Sequence, residues 1–264
     1  MFEKIKLHLA DKRVMIGSAD LALISLDEIS ELSESWKNPK GKLCKAGSST
    51  VAYIFDGKFI KCSPAGKIKR ALRKIFQMPR PVRTMIMAEK LKSLNIPTPE
   101  VYCAVREKRL FLPICDYLVT ENLDTQKISF AHEYLYSAPA KRDEMFYACA
   151  MLLKKMHSSN IIHGDASMRN FYISENDGEI QAGVIDLDAC RKVSNFAAQR
   201  AFIKEEARFL SSFIITCKLS EEPEQVADFC RQYTEEYKQD FQNSADSHKA
   251  LLNLTLRYLE RTRR

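Results

Sequence analysis

Apolar residues along the 264-residue chain change their spacing once, and the change divides the chain in two. In the first half they gather in short runs rich in β-branched and aromatic residues. Residues 43–62, LCKAGSSTVAYIFDGKFIKC, carry Val51, Tyr53, Ile54 and Phe55, then Asp56-Gly57, then a second run from Lys58. An Asp-Gly pair between two such runs predicts a hairpin, because both central residues of a type I′ turn need positive φ. Residues 1–16 hold a strand or two, Asp27 and Glu28 cap a short helix running to Leu32, and residues 101–106 and 110–120 read as two more strands. The main helix of this half covers residues 82–95, with Met85, Ile86, Leu91 and Leu94 apolar. It stops at Ile96-Pro97-Thr98-Pro99, where two prolines forbid continuation.

From residue 141 the period lengthens. In KRDEMFYACAMLLKKMHSS, Met145, Ala148, Cys149, Leu152, Leu153 and Met156 recur at the 3.6-residue spacing of a helix. Residues 170–174 and 181–186 then form a short hairpin about Asn176-Asp177-Gly178. Beyond residue 199 the chain is helical by period, through Phe202, Phe209, Leu210, Phe213 and Ile214 and later Leu251, Leu252, Leu254 and Leu259. The pattern predicts an α+β chain of two lobes, a sheet-rich one over residues 1–122 and a helical one over residues 123–264. They join near Glu121-Asn122-Leu123-Asp124-Thr125, with a cleft between them.

Composition changes this picture little. At 45% hydrophobic and 28% charged the chain is ordinary globular protein. It contains no run of about 18 uncharged apolar residues, and charges interrupt MFEKIKLHLADKRVM, so neither a spanning helix nor a secretory signal is expected and the expected location is cytoplasmic. The eight cysteines form no C-x-x-C pair and read as reduced packing residues. Charge adds more. A net charge of +7 calls for an anionic partner, and the cations concentrate in GKIKRALRKIFQMPRPVR, residues 66–83, which holds Lys67, Lys69, Arg70, Arg73, Lys74, Arg80 and Arg83 and no acid. As a helix it would carry Ile68, Leu72, Ile75 and Phe76 as one apolar stripe. Two readings stand: a solvated basic face over an ordinary core contact, or a surface for anionic lipid headgroups or a phosphorylated acceptor.

The candidate chemistry lies in IIHGDASMRN, residues 161–170, and VIDLDACR, residues 184–191. Asp165, an amide at Asn170 five residues on, and Asp186 behind an apolar run supply hard oxygen donors of the kind that hold magnesium and orient an acceptor hydroxyl for phosphoryl transfer. Taken singly, each aspartate is as well explained as a turn cap or a strand end. Their ordered combination points to a nucleotide site, with His163 structural.

HGDASMRN followed by IDLD resembles the catalytic and metal loops of the protein-kinase-like superfamily. The HGD loop, the basic insert after Lys61 and the passage EKLKSLNIPTP resemble more closely the bacterial lipopolysaccharide kinases that phosphorylate inner-core Kdo or heptose. The resemblance runs from about Lys45 to Arg191. It implies a two-lobed protein-kinase-like fold that uses ATP and Mg2+. Asp165 would accept the proton of the acceptor hydroxyl, Asn170 and Asp186 would hold the metal, and Lys61 would reach the α and β phosphates while pairing with Glu89. Gly47, Ser48 and Ser49 would cover the phosphates, and Glu121 to Leu123 would meet the adenine.

Four departures accompany these matches. The phosphate loop has one glycine, Gly164 stands where an arginine is usual, Ser167 replaces a lysine so that Arg169 becomes the candidate cation for the transferred phosphoryl, and Leu187-Asp188 follows Asp186 in place of Phe-Gly. The last of these argues against a protein substrate and for a small or lipid-linked acceptor, with the lipopolysaccharide core acceptor the expected partner at the cytosolic face of the inner membrane. A rival acceptor is a small cationic alcohol such as an aminoglycoside or choline, which would need acidic residues to greet it. A catalytically silent binding module is the other rival, against which stands retention of Lys61, Glu89, Asp165, Asn170 and Asp186. No nucleic acid is expected, since no RRM-type interleaving of aromatic and basic residues occurs.

Overall fold

The computed structural model describes residues 1–123, 128–237 and 245–262; the side chains of Lys69, Arg70, Tyr136, Ser137, Tyr237 and Ala245 lie outside that description. Of the expected interlobe junction, Asp124 and Thr125 also fall outside it. The chain forms two compact units, residues 1–92 with 99–126, and residues 93–98 with 127–264.

The first unit is built on a seven-stranded antiparallel sheet. Its strands are β1 (Glu3–His8), β2 (Arg13–Ala19), β3 (Lys42–Ala46), β4 (Val51–Phe55), β5 (Lys58–Pro64), β6 (Val101–Arg109) and β7 (Leu112–Glu121), in the order β1-β2-β6-β7-β5-β4-β3. The Asp56-Gly57 hairpin forms as expected, with φ of 48° and 67° at the two residues, joining β4 to β5. Period-two alternation sorts the sheet's faces. Ile60 and Cys62, Cys103 and Val105, and Cys115, Tyr117 and Val119 turn to one buried core with Met15, Ile29 and Tyr53. The residues between them, among them Lys61, Ala104, Arg106, Asp116 and Leu118, belong to the other face.

Three helices accompany this sheet: α1 (Leu26–Glu31), α2 (Ile68–Ile75) and α3 (Arg80–Ser93). The start of α1 corrects the sequence reading. Its N-cap is Ser25, not Asp27: the Ser25 hydroxyl accepts from Glu28 N at 3.2 Å while Glu28 Oε2 accepts from Ser25 N at 2.8 Å. That reciprocal pair satisfies two amides the first turn cannot bond internally. Glu28 also pairs with Lys58 Nζ at 2.8 Å. Hydrogen bonding to Lys58 first, and to Ser25 N next, pulls its carboxyl down to about 2.

The basic segment makes α2 and then breaks at Gln77-Met78-Pro79 before α3 begins. Of the two readings open from sequence, the ordinary core contact is overturned for most of the stripe. Ile68, Leu72 and Phe76 are exposed, and among the described side chains of the helix Ala71 is the buried one.

The second unit contains β8 (Ile128–Phe130), α4 (Ala131–Ser137), α5 (Arg142–Ser158), β9 (Ile161–Ile162), β10 (Phe171–Asn176), β11 (Glu179–Val184), β12 (Arg191–Lys192), α6 (Asn195–Thr216), α7 (Pro223–Tyr237) and α8 (Ala245–Thr262). The expected apolar face of α5 is buried through Met145, Cys149, Leu152, Leu153 and Met156. Phe146 on that helix meets Phe209, Phe213, Phe229 and Tyr233 at centroid separations of 4.4 to 6.1 Å. The β10–β11 hairpin turns at Asp177 and Gly178, both with positive φ, and pairs Phe171 with Val184. That register determines where the functional side chains fall.

Candidate active site

The loop from His163 to Asn170 lies between β9 and β10, and its geometry follows from a few backbone demands. Gly164 has φ +82°, in the left-handed region, and a Cβ there would stand 2.6 Å from Ala189 O and 2.9 Å from Ala189 Cβ. Both facts exclude arginine at this position on local grounds. His163 is fully buried. Its Nδ1 accepts from Asp165 N at 3.3 Å, so the proton sits on Nε2, which donates to Ile185 O at 2.8 Å. His163 thereby ties the loop to the residue preceding Asp186, the structural role expected of it.

The same loop gathers the oxygen donors. Asn170 Nδ2 donates to Asp165 O at 2.8 Å, which fixes the amide and leaves its oxygen on the opposite side. Ile185 N donates to Asn170 O at 2.9 Å, one step past the Phe171–Val184 pair. The strand register therefore brings Asn170 beside Asp186, while the Asn170 side chain brings it to the Asp165 backbone. Asp186 itself adopts φ 57°, ψ 58°. Left-handed backbone is uncommon for a residue with a Cβ, aspartate tolerates it better than most, and such positions cluster at functional sites.

Helix α6 holds this loop from behind through three side chains spaced at i, i+3 and i+7. Glu205 accepts from His163 N at 3.0 Å and from Gly164 N, Ser212 Oγ accepts from Met168 N at 2.8 Å, and Arg208 Nη2 makes an ion pair with Asp165 Oδ1. The Arg208 contact is ionic without the alignment of a hydrogen bond. Glu205 is buried and pairs with His157 Nε2 at 3.0 Å, while Glu206 stands 3.6 Å from His157 Nδ1. Burial pushes against ionisation of both partners, yet both shift toward the charged form. The Glu205 and Glu206 hydrogen bonds raise the His157 pKa above its usual value of 6.5, and the His157 bond lowers that of Glu205 below 4.5. Sequence reasoning missed Glu205, Arg208 and Ser212, since three polar residues on one helical face carry the same signal as a solvated surface. Arg169, the cation expected near the base, has an exposed side chain, and Arg208 is the cation at Asp165.

The other expected site residues belong to the first unit. Lys61 lies in β5 between Ala52 of β4 and Leu118 of β7, on the sheet face opposite the core of Ile60 and Cys62. Glu89 is exposed on α3. Gly47, Ser48 and Ser49 form an exposed turn closed by Gly47 N donating to Thr50 O at 3.0 Å. Glu121 is tied to Glu100 by two bonds, its own N–H to Glu100 O at 2.9 Å and its Oε1 from Glu100 N at 2.8 Å, while Leu123 is buried.

Residues 48–237, well over half of the chain, match the model of the lipopolysaccharide kinase (Kdo/WaaP) family. The chain belongs to that family. As a lipopolysaccharide kinase it is an enzyme that phosphorylates a sugar hydroxyl. The structure is similar to "WaaP in complex with acyl carrier protein", with a TM-score of 0.54 and 15% identity over 86% of this chain and 91% of that one. It is also similar to a Rio2 kinase-ADP/Mg2+-phosphoaspartate complex from Chaetomium thermophilum, with a TM-score of 0.49 and 13% identity over 98% and 82% of the two chains. The WaaP likeness shows the protein-kinase-like α+β fold, an antiparallel sheet unit followed by a helical one. No curated protein matches the sequence.

Proposed function

We propose that this lipopolysaccharide kinase transfers the γ-phosphoryl group of ATP to a hydroxyl of an inner-core sugar, Kdo or heptose, at the cytosolic face of the inner membrane. The observation that carries the reading is the bonding that gathers oxygen donors in one loop, Asn170 Nδ2 to Asp165 O and Ile185 N to Asn170 O, one residue from Asp186.

In this reading the acceptor oxygen attacks the γ-phosphorus as its proton passes to Asp165, and the bond to the β-phosphate oxygen breaks to release ADP. Asn170 and Asp186 fit magnesium. They offer an amide and a carboxylate oxygen, and magnesium takes one or two protein oxygens beside water and phosphates. Among the described residues no three His, Cys, Asp or Glu side chains gather into a fuller cage. When bound, the ion neutralises phosphate charge. Lys61, paired with Glu89, contacts the α and β phosphates; Gly47, Ser48 and Ser49 cover them through their N–H and hydroxyl groups; the backbone of Glu121 to Leu123 meets the adenine.

Arg208 supplies the cation that Ser167 cannot. Before substrate arrives it screens the Asp165 carboxylate, and an acceptor bearing phosphate or Kdo carboxylate draws the guanidinium onto itself, freeing Asp165 to take a proton. A cationic acceptor of the aminoglycoside or choline type would meet Arg208 with the wrong sign.

The test is transfer of labelled phosphate from ATP to purified Kdo- and heptose-containing core acceptors. Transfer by the wild-type chain that falls about 10²- to 10⁴-fold in Asp165→Ala, with nucleotide binding retained, supports the reading. Transfer to a cationic alcohol with none to either core sugar would overturn it.

A further inference from the structure

Helix α2 is seated with its apolar stripe on the wrong side for a core contact. A basic amphipathic helix on a protein core turns its apolar face inward and its cations to water. Here Ala71 is buried, and beside it the inward position of the next turn is Lys74, whose side chain is only 14% exposed. The Lys74 ammonium reaches the Ser63 and Pro64 carbonyls, each at 3.5 Å, and lies 3.8 Å from Asp116 Oδ2. Arg106, itself buried, grips Asp116 with two bonds of 2.6 and 3.1 Å and donates through Nη1 to Lys74 O at 2.7 Å and Gln77 O at 3.1 Å. The first of those bonds adds a side-chain donor to Lys74 O, which also accepts from Gln77 N at 3.3 Å, and the second holds Gln77 O just past the end of α2.

Together these contacts fix the rotation of α2 about its own axis. The rotation leaves Ile68 66%, Leu72 46% and Phe76 93% exposed, and Met78 follows just past the helix at 54%. Around this stripe Lys67, Arg73, Arg80 and Arg83 are exposed, and no acidic residue occurs between Asp56 and Glu89. Large apolar groups held out by a buried ion pair are an interaction surface, not residual packing.

We infer that α2 lies in the plane of an anionic phospholipid bilayer, with Ile68, Leu72 and Phe76 at the acyl boundary and Lys67, Arg73, Arg80 and Arg83 on headgroup phosphates. Charge selects this occupant. The apolar stripe alone would suit any hydrophobic partner, but a stripe bordered by cations matches a surface that is dense in negative charge and opens onto hydrocarbon. Among the described residues no helix is long and apolar enough to cross a membrane. Contact through α2 is contact with one leaflet. This surface goes beyond the phosphoryl-transfer reading and does not depend on it.

The experiment is flotation of the full chain with phosphatidylethanolamine and phosphatidylglycerol vesicles at about 3:1, against phosphatidylcholine vesicles. The wild-type chain is expected to float with the anionic vesicles and to be released as salt rises. Ile68→Ser/Leu72→Ser/Phe76→Ser and, separately, Arg73→Glu/Arg83→Glu are each expected to weaken partition about tenfold or more. Phe76→Ser alone removes a side chain with almost no contacts to lose, so a weakened partition in that variant reports the surface and not the fold. Equal flotation with both vesicle types, full flotation of the triple variant, or capture of α2 by an acidic protein with no vesicle binding would each overturn the inference.

Discussion

At Gly164 two independent constraints meet: the backbone is left-handed, and Ala189 closes the space a side chain would need. Gly164→Ala is expected to lower stability by about 1–3 kcal/mol through strained backbone, before the clash adds to it, and a thermal melt reads the loss. Gly164→Arg should fail to accumulate as folded protein. Arg208 acts on charge instead. Arg208→Gln is expected to leave the melting temperature within a few degrees, since an exposed ion pair contributes little to stability, while kcat for the core acceptor falls about tenfold to a hundredfold. Arg208→Lys should restore less than half of that loss, because a point charge does not reproduce the planar donor fork. The grouping of Asp165, Asn170 and Asp186 was legible in the sequence because their spacing is local. Arg208 was not legible, since its meaning depends on a loop more than forty positions away in the chain.

Among the elements, α6 joins the active loop to the helical core. Glu205 accepts two amides of that loop while paired with a buried histidine. Glu205→Ala would leave the buried His157 charge to Glu206 alone and orphan the His163 and Gly164 amides, for an expected loss of about 3–5 kcal/mol in chemical denaturation. Glu205→Gln keeps one acceptor oxygen and should lose less. Several elements were readable from period and turn residues together: the hairpin at Asp56-Gly57, α5 and the β10–β11 pair fall within about two residues of where the pattern puts them. The rotational setting of a helix was not readable. In α2 the apolar stripe is plain in the sequence, but which way it turns is decided by Arg106 and Asp116, thirty or more residues further on. The cap of α1 was not legible for a simpler reason: Ser25 stands two residues before the pair Asp27 and Glu28, the acids that carry the stronger helix-start signal.

For the molecule as a whole, pH tests the same network. His157 has a raised folded pKa, so its contribution is fully present below 6.5 and is lost as pH rises through that higher value. Glu205 has a depressed one, so its contribution is present above 4.5 and is lost as pH falls through the lower value; Glu28, held down to about 2, adds to the same acid limb. Melting temperature measured against pH should therefore decline on the alkaline side above 6.5 as well as in acid. His157→Gln should lose the alkaline decline while keeping the acid limb that Glu28 contributes. A variant that melts with the wild-type alkaline profile would remove His157 from the account. At this scale the order of a sheet unit before a helical unit was visible in the change of period, and the family followed from the motifs that straddle it.

The three α6 side chains that hold the loop share one face of a single rigid rod. Inserting one residue between Phe202 and Glu205 would turn that face by about 100° and withdraw all three side chains together, even though helix-forming tendency would hardly change. Loop and helix must therefore drift through evolution as a matched pair, and a chimera exchanging either one alone would arrive with its chemistry intact and its support from the helical core gone.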